Sequence, residues 1–309
     1  MAKIITLTVN PAIDKSTSFS GLVAEQKIRC KSPHFDAGGG GINVSKAIAR
    51  LGGTSKAIFT SGGPSGELLQ DLLKNESIDF QAIKTKNWTR ENFIAVDVLT
   101  NAQYRFGMPG AEIMPVEATE ILKQIELSRA DYLVASGSLS AGLGEDFYEK
   151  VAAVSRKIGS KLIIDTSGEP LKMAIDEGVY LLKPNLNELA KLVGESTLEM
   201  DQVDDAAREI IAKGGCEIVV VSLGPQGAVL VTKDICELIP APNVQKKSTV
   251  GAGDSMVGGM VWALSQGKNF QEMLRWGIAC GSAATMNEGT QLFKKEDANR
   301  LFEWLKRYK

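Results

Sequence analysis

The stretch Ser248-Thr249-Val250-Gly251-Ala252-Gly253-Asp254 leads into an apolar run of mostly small residues, SMVGGMVWAL. Met256, Met260 and Leu264 recur at helical spacing, so we expect a buried helix to begin at or just after Gly251. Its first turn holds glycine, alanine and glycine, which leaves the unpaired backbone N–H groups uncovered. Such a helix start attracts anions, because the free N–H groups and the helix dipole both favour negative charge.

Asp254 falls in the first turn of this predicted helix, beside any phosphate that the helix start would hold. The arrangement suits phosphoryl transfer. The amides of Gly251, Ala252 and Gly253 would stabilise the transferring group, and the Asp254 carboxylate would take the proton from an attacking hydroxyl. The structural alternative is a tight glycine turn with an ordinary helix-end aspartate. That alternative would be preferred for an isolated G-x-G-D. We set it aside because other segments of the chain supply candidate residues for binding a sugar, a nucleotide and Mg²⁺.

Composition places the chain among ordinary globular proteins and excludes several classes. It has 309 residues, 44% hydrophobic and 23% charged, and its net charge of −2 gives no strong attraction to nucleic acid or to a membrane. No P-loop, protein-kinase signature or G-x-S-x-G elbow occurs, and the single histidine excludes a histidine-rich metal site. The sequence has neither a signal-peptide layout nor an apolar run long enough to cross a membrane, and its four scattered cysteines fit free thiols. We therefore expect a cytoplasmic protein.

Strand and helix patterns alternate from residue 115 onward, after a first strand at residues 4–9. We predict helices over 116–126 and 145–158 and strands over 131–135, 161–165, 179–183 and 218–221. This alternation predicts an α/β fold with a mostly parallel sheet covered on both faces. We find no linker that would divide the chain, so we treat residues 1–309 as one domain.

Two excursions leave this regular pattern, at about residues 15–37 and 88–107. The first contains alternating pieces such as Lys27-Ile28-Arg29-Cys30 and is predicted to form extended strands. The second is typical of a hairpin, with strands over 93–99 and 103–106, and both faces of its first strand are largely apolar. Such a hairpin is covered either by substrate on one side and a second subunit on the other, or by its own domain. We predict that the excursions form a small β-sheet lid.

Polar residues beyond predicted strand ends are candidates for substrate contacts, because ligands of open α/β sheets bind at the carboxyl edge. Asp14 lies just beyond the first strand, and Ser138 follows a later one, where it binds substrate or caps a turn. Arg90 and Arg105 flank the hairpin, where either could pair with a substrate phosphate or lie solvated.

Four consecutive glycines, at positions 38–41, allow the backbone to approach a ligand closely. Asn43 follows them and is predicted to open a helix over residues 44–51. Its side chain is either an N-cap or a grip for sugar hydroxyls, and the local sequence favours neither.

Two further segments follow predicted strands. Within Lys183-Pro184-Asn185-Leu186-Asn187-Glu188, an amide and a carboxylate three residues apart suit Mg²⁺ held through its waters, although they also fit a capping box. The loop Ser222-Leu223-Gly224-Pro225-Gln226-Gly227 lies along a nucleotide or is a simple turn.

Taken together, these motifs give the chain a resemblance to a known family. GGGGINV at 38–44, K-P-N-x-x-E at 183–188, SLGPQG at 222–227 and TVGAGD at 249–254 occur in the order and spacing of the ribokinase-like (PfkB) sugar kinases. Shorter matches are NPAID at 10–14, KIRC at 27–30, W-T-R-x-N at 88–92 and Y-R-F-x-M-P-G at 104–110. They make the chain most similar to the branch of the family that phosphorylates fructose 6-phosphate in glycolysis.

This resemblance implies a ribokinase-like three-layer α/β/α sandwich with a β-sheet lid, and dimers that pair through the lids. It also implies a kinase that uses ATP and Mg²⁺, in which Asp254 activates the C1 hydroxyl of fructose 6-phosphate. The sugar phosphate would be bound by Asp14, Lys27, Gly39, Gly40, Asn43, Arg90 and Ser138. The nucleotide would be bound by Lys183, Asn185, Ser222, Gly224, Pro225, Gly227 and Ser282. Asn185 and Glu188 would organise Mg²⁺ through water, and K⁺ would lie near Ser248, Val250, Ala284, Asn287 and Gly289.

Three positions depart from the family pattern. Ser248 stands where many members carry aspartate, which implies a weaker or backbone-built cation site. Asn187 stands where similar kinases carry a lysine beside the nucleotide phosphates, which counts against a second, inhibitory ATP. Gly40 stands where tagatose and fructose 1-phosphate kinases often carry lysine, which favours fructose 6-phosphate. Two alternatives stay open: a tagatose-6-phosphate kinase, and a catalytically idle sugar or nucleotide sensor on the same fold.

Overall fold

The larger of two β-sheets forms the centre of the molecule. The computed structural model describes residues 2–307, and within this range nine of the thirteen strands belong to that sheet. They are β1 (Ile4–Thr8), β4 (Lys56–Ser61), β5 (Asp79–Lys84), β8 (Tyr132–Ser136), β9 (Lys161–Asp165), β10 (Val179–Leu182), β11 (Cys216–Ser222), β12 (Ala228–Val231) and β13 (Cys236–Ile239). Their order across the sheet is β13-β12-β11-β10-β9-β8-β1-β4-β5.

The pairing in this sheet is parallel from β5 through to β11, and only the pairs β11–β12 and β12–β13 are antiparallel. All five residues of β1 are buried, as expected for a strand covered on both faces. The predicted mostly parallel sheet is therefore confirmed. Its strands end at a common carboxyl edge, which is where the polar residues after β1, β8, β9 and β10 are brought together.

Helices cover both faces of the large sheet. Within residues 2–307 they are α1 (Gly40–Arg50), α2 (Gly63–Asn75), α3 (Pro115–Ser128), α4 (Phe147–Lys157), α5 (Glu169–Glu177), α6 (Leu186–Leu192), α7 (Val203–Ala212), α8 (Ala252–Ser265), α9 (Phe270–Thr285) and α10 (Lys295–Leu305). One core joins α1, α8, α9 and α10 to the sheet, and a second joins α3 to α7 to the opposite face. The three-layer α/β/α sandwich is confirmed. No helix in this range has both the length and the apolar character of a membrane span.

The starts of two helices test the boundary predictions. Helix α8 begins at Ala252 with Gly251 as its N-cap in the left-handed conformation (φ 70°), as the glycine pattern predicts. Helix α1 begins at Gly40, four residues before the predicted start, and its N-cap is Gly39. Asn43 is therefore a residue of the first turn and not a cap. Glycines 40 and 41 make this possible, because a β-carbon at either would collide with β8 or β1.

The smaller sheet is built from both excursions. Its strands β2 (Ala12–Phe19), β3 (His34–Gly38), β6 (Arg90–Asp97) and β7 (Gln103–Phe106) lie in the order β3-β2-β6-β7. The hairpin β6–β7 is confirmed, with β6 starting and ending earlier than predicted. The strands expected around Lys27–Cys30 are wrong: residues 20–33 contain none, and most of their side chains are exposed. Alternation there was too polar to bury a face, and the segment bonds to the sheet through Lys31 N to Ser18 O at 2.9 Å.

Candidate active site

The start of α8 presents unpaired backbone amides at the carboxyl edge of the large sheet. The first bond of helical type in α8 runs from Ser255 N to Gly251 O, at 2.8 Å. The N–H groups of Gly253 and Asp254 precede it, and no side chain caps this helix. Gly253 is exposed. Ala252 is partly exposed, but its N–H donates to Thr249 O at 3.3 Å, so it is not one of the free amides that the sequence predicts. The predicted anion-binding helix start is thus open to a ligand, and the helix dipole adds to its attraction.

Asp254 is held by residues from two other elements. Its Oδ2 accepts a hydrogen bond from Asn43 Nδ2 at 2.8 Å, and its Oδ1 accepts a longer one from Ser136 Oγ at 3.4 Å. Asn43 comes from the first turn of α1, and Ser136 is the last residue of β8. The carboxylate is half-buried and these two hydrogen bonds fix its position.

A buried ion pair lies close to this carboxylate. Lys183 Nζ and Asp165 Oδ1 are 3.2 Å apart, with side-chain exposures of 7% and 17%. Burial acts to lower the pKa of Lys183, but the Asp165 charge and hydrogen bond outweigh it and the pKa is raised. The Lys183 ammonium also lies near Gly253, because a β-carbon there would be 3.7 Å from Nζ. A positive charge therefore stands beside the bare helix start.

The pKa of Asp254 is raised to about 6 by this environment. Burial is the largest cause, and the charge of Asp165 adds to it. The hydrogen bond from Asn43, the charge of Lys183 and the hydrogen bond from Ser136 act in the opposite direction. A carboxylate with a pKa near 6 is a stronger base than an ordinary aspartate and is still largely ionised at neutral pH.

The glycine loop brings α1 against the ends of β1 and β8. Gly39 has a φ of 127°, and a β-carbon there would lie 2.6 Å from Thr8 Cγ2. A β-carbon at Gly40 would lie 2.2 Å from Ser136 Oγ. Only glycine permits this approach without a shift of the neighbours. The close approach is what carries Asn43 within hydrogen-bond distance of Asp254.

A second polar group lies on the smaller sheet. Asp14 on β2 accepts a hydrogen bond from Asn92 Nδ2 at 2.8 Å. Arg90, the first residue of β6, donates from its two terminal nitrogens to Met108 O and Asn10 O, both at 3.1 Å. Burial raises the pKa of Asp14 while the Asn92 hydrogen bond lowers it, with Asp36 adding to the first effect and Arg90 and Arg105 to the second.

Ser138 and Lys27 differ in how they relate to this group. Ser138 is exposed after β8 and accepts a hydrogen bond from Asn10 Nδ2 at 3.1 Å, so it belongs to the same neighbourhood as Arg90. Lys27 lies exposed in the loop 20–33 and forms no ion pair among the described residues. The structure of this single chain does not bring Lys27 to the other predicted sugar residues.

The two predicted nucleotide segments are hydrogen-bonded to each other. Ser222 N donates to Pro184 O at 2.9 Å, which places the loop after β11 beside the segment after β10. Gly224 and Gly227 have positive φ, Pro225 lies between them in a short 3₁₀ turn, and a β-carbon at Gly227 would lie 2.0 Å from Ile239 O. Ser282, partly buried on α9, is one residue from Gly281, whose β-carbon would lie 3.2 Å from Ala252 O.

Asn185 and Glu188 form the capping box of α6. Asn185 Oδ1 accepts from Glu188 N, and Glu188 Oε2 accepts from Asn185 N, both at 2.9 Å. The second carboxylate oxygen of Glu188 is not part of the capping box, so it remains available to a ligand. Both residues line a cavity of about 470 Å³ between α5 and α6.

The predicted cation residues lie where the segment before α8 meets the end of α9. Ser248 N donates to Thr285 O at 3.2 Å, and Ser248 Oγ donates to Gly289 O at 2.9 Å and accepts from Val250 N at 3.2 Å. Asn287 N donates to Ala284 O, also at 3.2 Å. The hydroxyl that replaces the family's aspartate therefore ties the two segments together directly.

Three site residues were missed in the sequence. Asp165 ends β9 at the carboxyl edge of the large sheet, so the strand-end rule that selected Asp14 and Ser138 in the sequence also applied to it. Ser136 ends β8 and was passed over for Ser138. Asn92 stood within a noted motif, but its contact with Asp14 depends on the strand pairing β2–β6, which local sequence does not show.

Residues 4–297 match the model of a protein family described as "pfkB family carbohydrate kinase". Together with the α/β/α sandwich, the glycine loop against Asn43 and the bare helix start with Asp254, this defines the class. The chain belongs to the pfkB family of carbohydrate kinases. The resemblance drawn from the four motifs is confirmed.

Similar proteins within this family cover the whole chain. The chain is 42% identical over 309 residues to the ATP-dependent 6-phosphofructokinase isozyme 2 of Escherichia coli (strain K12), covering 99% of this chain and 100% of that protein. It is 40% identical over 303 residues to the Mycobacterium tuberculosis protein of the same name, with 97% and 89% covered. The crystal structure of Escherichia coli phosphofructokinase-2 with potassium matches with a TM-score of 0.96 at 42% identity, covering 99% and 100%. Its fructose-6-phosphate complex and its tetrameric inhibited form each match with a TM-score of 0.93 at 40% identity and the same coverage.

Proposed function

We propose that the protein transfers the γ-phosphoryl group of ATP to the C1 hydroxyl of fructose 6-phosphate, giving fructose 1,6-bisphosphate and ADP. The observation that carries this proposal is the Asp254 carboxylate, fixed by Asn43 and Ser136 at the bare start of α8, with its pKa raised to about 6. Full-length similarity to two ATP-dependent 6-phosphofructokinases supports the choice of acceptor.

In this reaction Asp254 takes the proton of the C1 hydroxyl as the hydroxyl oxygen attacks the γ-phosphorus. The bond from that phosphorus to the bridging oxygen breaks, and ADP leaves with the electron pair. The amides of Gly251, Gly253 and Asp254 donate to the transferring group, where negative charge develops, while the Ala252 N–H already donates to Thr249 O at 3.3 Å. Lys183, beside Gly253, adds a positive charge near the same place.

The sugar phosphate lies between the smaller sheet and the glycine loop in this proposal. Asp14 accepts from sugar hydroxyls, Gly39 and Gly40 let the backbone approach the ring, and Ser138 contributes its hydroxyl. Arg90 binds the 6-phosphate through the N–H groups of its terminal nitrogens that the carbonyls of Met108 and Asn10 do not use. Lys27, exposed in its loop and apart from these residues, would contact a phosphate group of the substrate across the dimer.

The nucleotide lies along the joined segments after β10 and β11, where Ser222, Gly224, Pro225 and Gly227 form one side. The residues fit Mg²⁺ held through water: Glu188 keeps one carboxylate oxygen outside its capping box, and the described residues contain no cluster of three or more His, Cys, Asp or Glu that would form a dedicated cage. When bound, Mg²⁺ neutralises phosphate charge. The adenine side of the site is completed by Ser282.

A monovalent cation fits the junction of residues 248–250 with 284–289. Carbonyl and hydroxyl oxygens gather there, and such neutral oxygens suit K⁺. The one carboxylate in these two segments, on Glu288, is exposed and pairs with Lys247. Ser248 in place of aspartate makes this a backbone-built site. The Escherichia coli phosphofructokinase-2 structure that contains potassium supports the same ion.

Exposed apolar side chains on and beside the smaller sheet support pairing with a second copy of the chain. Phe106 lies at the end of β7, and the segments next to the strands carry Leu22, Val98, Leu99 and Met108; each of the five residues is at least 45% exposed. Apolar residues of this kind around the lid strands need cover, and a second lid supplies it symmetrically. Sedimentation of Leu99→Lys against the unchanged protein tests this: loss of a dimer supports it, and no change contradicts it. We propose that the enzyme acts in the cytoplasm, where its substrates ATP and sugar phosphates are held.

A substrate panel tests the assignment. ADP release is measured with ATP and, in turn, fructose 6-phosphate, tagatose 6-phosphate and fructose 1-phosphate. We expect the highest kcat/KM with fructose 6-phosphate. A higher value with tagatose 6-phosphate would make the protein a tagatose-6-phosphate kinase, since the two sugars differ at one hydroxyl. No ADP release with any ketose phosphate would make it an idle sensor on this fold.

A further inference from the structure

The backbone of Met108 is hydrogen-bonded on both sides by residues of the smaller sheet. Its N–H donates to Asn92 Oδ1, and its carbonyl oxygen accepts from Arg90 Nη1, each at 3.1 Å. The Met108 side chain is 45% exposed, so the backbone and not the side chain makes these contacts. The backbone of one residue after β7 therefore connects two residues of β6.

Asn92 uses its other amide atom on Asp14. The strand pairing sets Asn92 on β6 directly beside Asp14 on β2, and Nδ2 donates to Asp14 Oδ1 at 2.8 Å. An amide is the side chain that can donate to a carboxylate and accept from a backbone N–H at the same time. An aspartate could only accept, and a leucine of similar size could do neither.

Arg90 is fixed by the same connection. Besides Met108 O it donates to Asn10 O, while its Nε stays buried and without a hydrogen-bond partner among the described residues. Two backbone carbonyls thus hold the guanidinium in one orientation and leave part of its fork unused. Hydrogen bonds connect Asp14 to Asn92, Asn92 to the Met108 N–H, and the Met108 carbonyl oxygen to Arg90.

We propose that Asn92 is a positioning residue that joins the sugar end of the substrate site, at Asp14, to its phosphate end, at Arg90, through the backbone of Met108. The inference rests on the proposed substrate roles of Asp14 and Arg90. Because both ends share one hydrogen-bonded frame, a sugar phosphate meets two groups that are already at the correct spacing. Binding then costs less ordering of side chains and of the segment after β7.

Removing the amide should loosen both ends at once. In Asn92→Leu, Asp14 loses its donor, Met108 loses its acceptor, and the carbonyl that holds Arg90 is no longer fixed. We expect KM for fructose 6-phosphate to rise about tenfold or more, while KM for ATP stays within about twofold. Asn92→Asp should be at least as damaging, because it places a like charge beside Asp14. The matched control is Asn299→Leu, an exposed position on α10 with no part in the site.

A double-mutant cycle separates positioning from simple packing. Asn92→Leu is combined with Arg90→Lys, which keeps the charge but loses the fork. If Asn92 acts through Arg90, the combined rise in KM is smaller than the product of the single rises by about fivefold or more. If the rise in KM of the double variant equals the product of the two single rises, the effects are independent and the inference is overturned. An Asn92→Leu variant with unchanged KM overturns it as well.

The substrate roles are checked in the same experiment. Asp14→Asn and Arg90→Lys alone must each raise KM for the sugar phosphate. If neither does, the substrate roles themselves are wrong and the inference falls with them. If both do and the cycle is additive, only the connection through Asn92 is wrong. Thermal unfolding of each variant is followed in parallel, and Asn92→Asp decides if Asn92→Leu does not fold.

Discussion

Two helices at the same edge of the large sheet carry an acid at the third position of their first turn, and the two acids behave differently. In α6, Asn185 caps the helix and Glu188 reaches back to the cap N–H, both bonds being 2.9 Å. In α8, the cap is Gly251, which has no side chain, and Asp254 is held instead by Asn43 and Ser136 from neighbouring elements. The cap residue decides whether the acid closes its own helix start or leaves it open.

The consequence is a division of roles between the two helix starts. The closed start of α6 cannot offer its capped amides to a phosphate and contributes the remaining carboxylate oxygen of Glu188. The open start of α8 offers amides of Gly253 and Asp254 directly. A shorter acid on an uncapped helix is therefore free for proton transfer, and a longer acid on a capped helix suits a hydrated metal.

The largest expected effect comes from removing the acid of the open start. Asp254→Asn keeps the shape of the side chain but cannot accept the proton, so we expect kcat to fall by about 10²- to 10⁴-fold. ATP binding, measured by calorimetry, should be nearly unchanged because the amides remain. The control is Asp201→Asn, an exposed aspartate outside the site. Near-normal turnover of Asp254→Asn would show that Asp254 is not the proton acceptor, so that it would not differ in role from Glu188.

The next effect belongs to the substrate's phosphate end, on the smaller sheet. Arg90→Ala removes a charged hydrogen-bonding partner, and we expect KM for fructose 6-phosphate to rise about 10- to 100-fold. Turnover at saturating sugar should fall much less, since α8 is untouched. Arg105→Ala serves as comparison, because Arg105 is exposed and should contribute less. A larger rise in KM for Arg105→Ala than for Arg90→Ala would mean that Arg105, and not Arg90, binds the phosphate.

A smaller effect should follow at the closed start. Glu188→Gln keeps an oxygen for the capping box but removes the charge, so α6 stays capped while the Mg²⁺ concentration for half-maximal activity rises about tenfold. Glu272→Gln is the matched control: it occupies the same position in α9, where Asn269 Oδ1 accepts from Glu272 N at 2.8 Å. Equal Mg²⁺ requirements in the two variants would make Glu188 purely a capping residue.

The fold and the centre of the site could be predicted from the sequence because their signals are local. The start of α8 at Gly251–Ala252 follows from glycines before an apolar helical pattern, and the parallel sheet follows from alternating strands and helices. The start of α1 could not be placed from the sequence, because glycine is a poor helix former and only tertiary packing makes these glycines helical. Here a close approach to β8 requires it, so Gly40 is helical.

Contacts between distant segments are what the sequence could not show. Asn43 and Asp254 are 211 positions apart, and Asn92 and Asp14 are 78 apart. The partnership of Asp165 with Lys183 depends on β9 and β10 lying side by side. Residue type alone made each of these side chains a plausible cap or solvated charge, and only the strand order decides their partners.

The most direct test of the account is the pH dependence of kcat/KM for fructose 6-phosphate in the unchanged protein and in two charge variants. Asp254 must be ionised to accept a proton, so activity should rise with pH through its pKa of about 6. Asp165→Asn removes a negative charge and should move this rise to lower pH, while Lys183→Met removes a positive charge and should move it to higher pH. The substrate's own phosphate also ionises near pH 6, but it is common to all three profiles and cancels in the shifts. Shifts in these opposite directions are the predicted result, and three coincident profiles would contradict Asp254 as the proton acceptor.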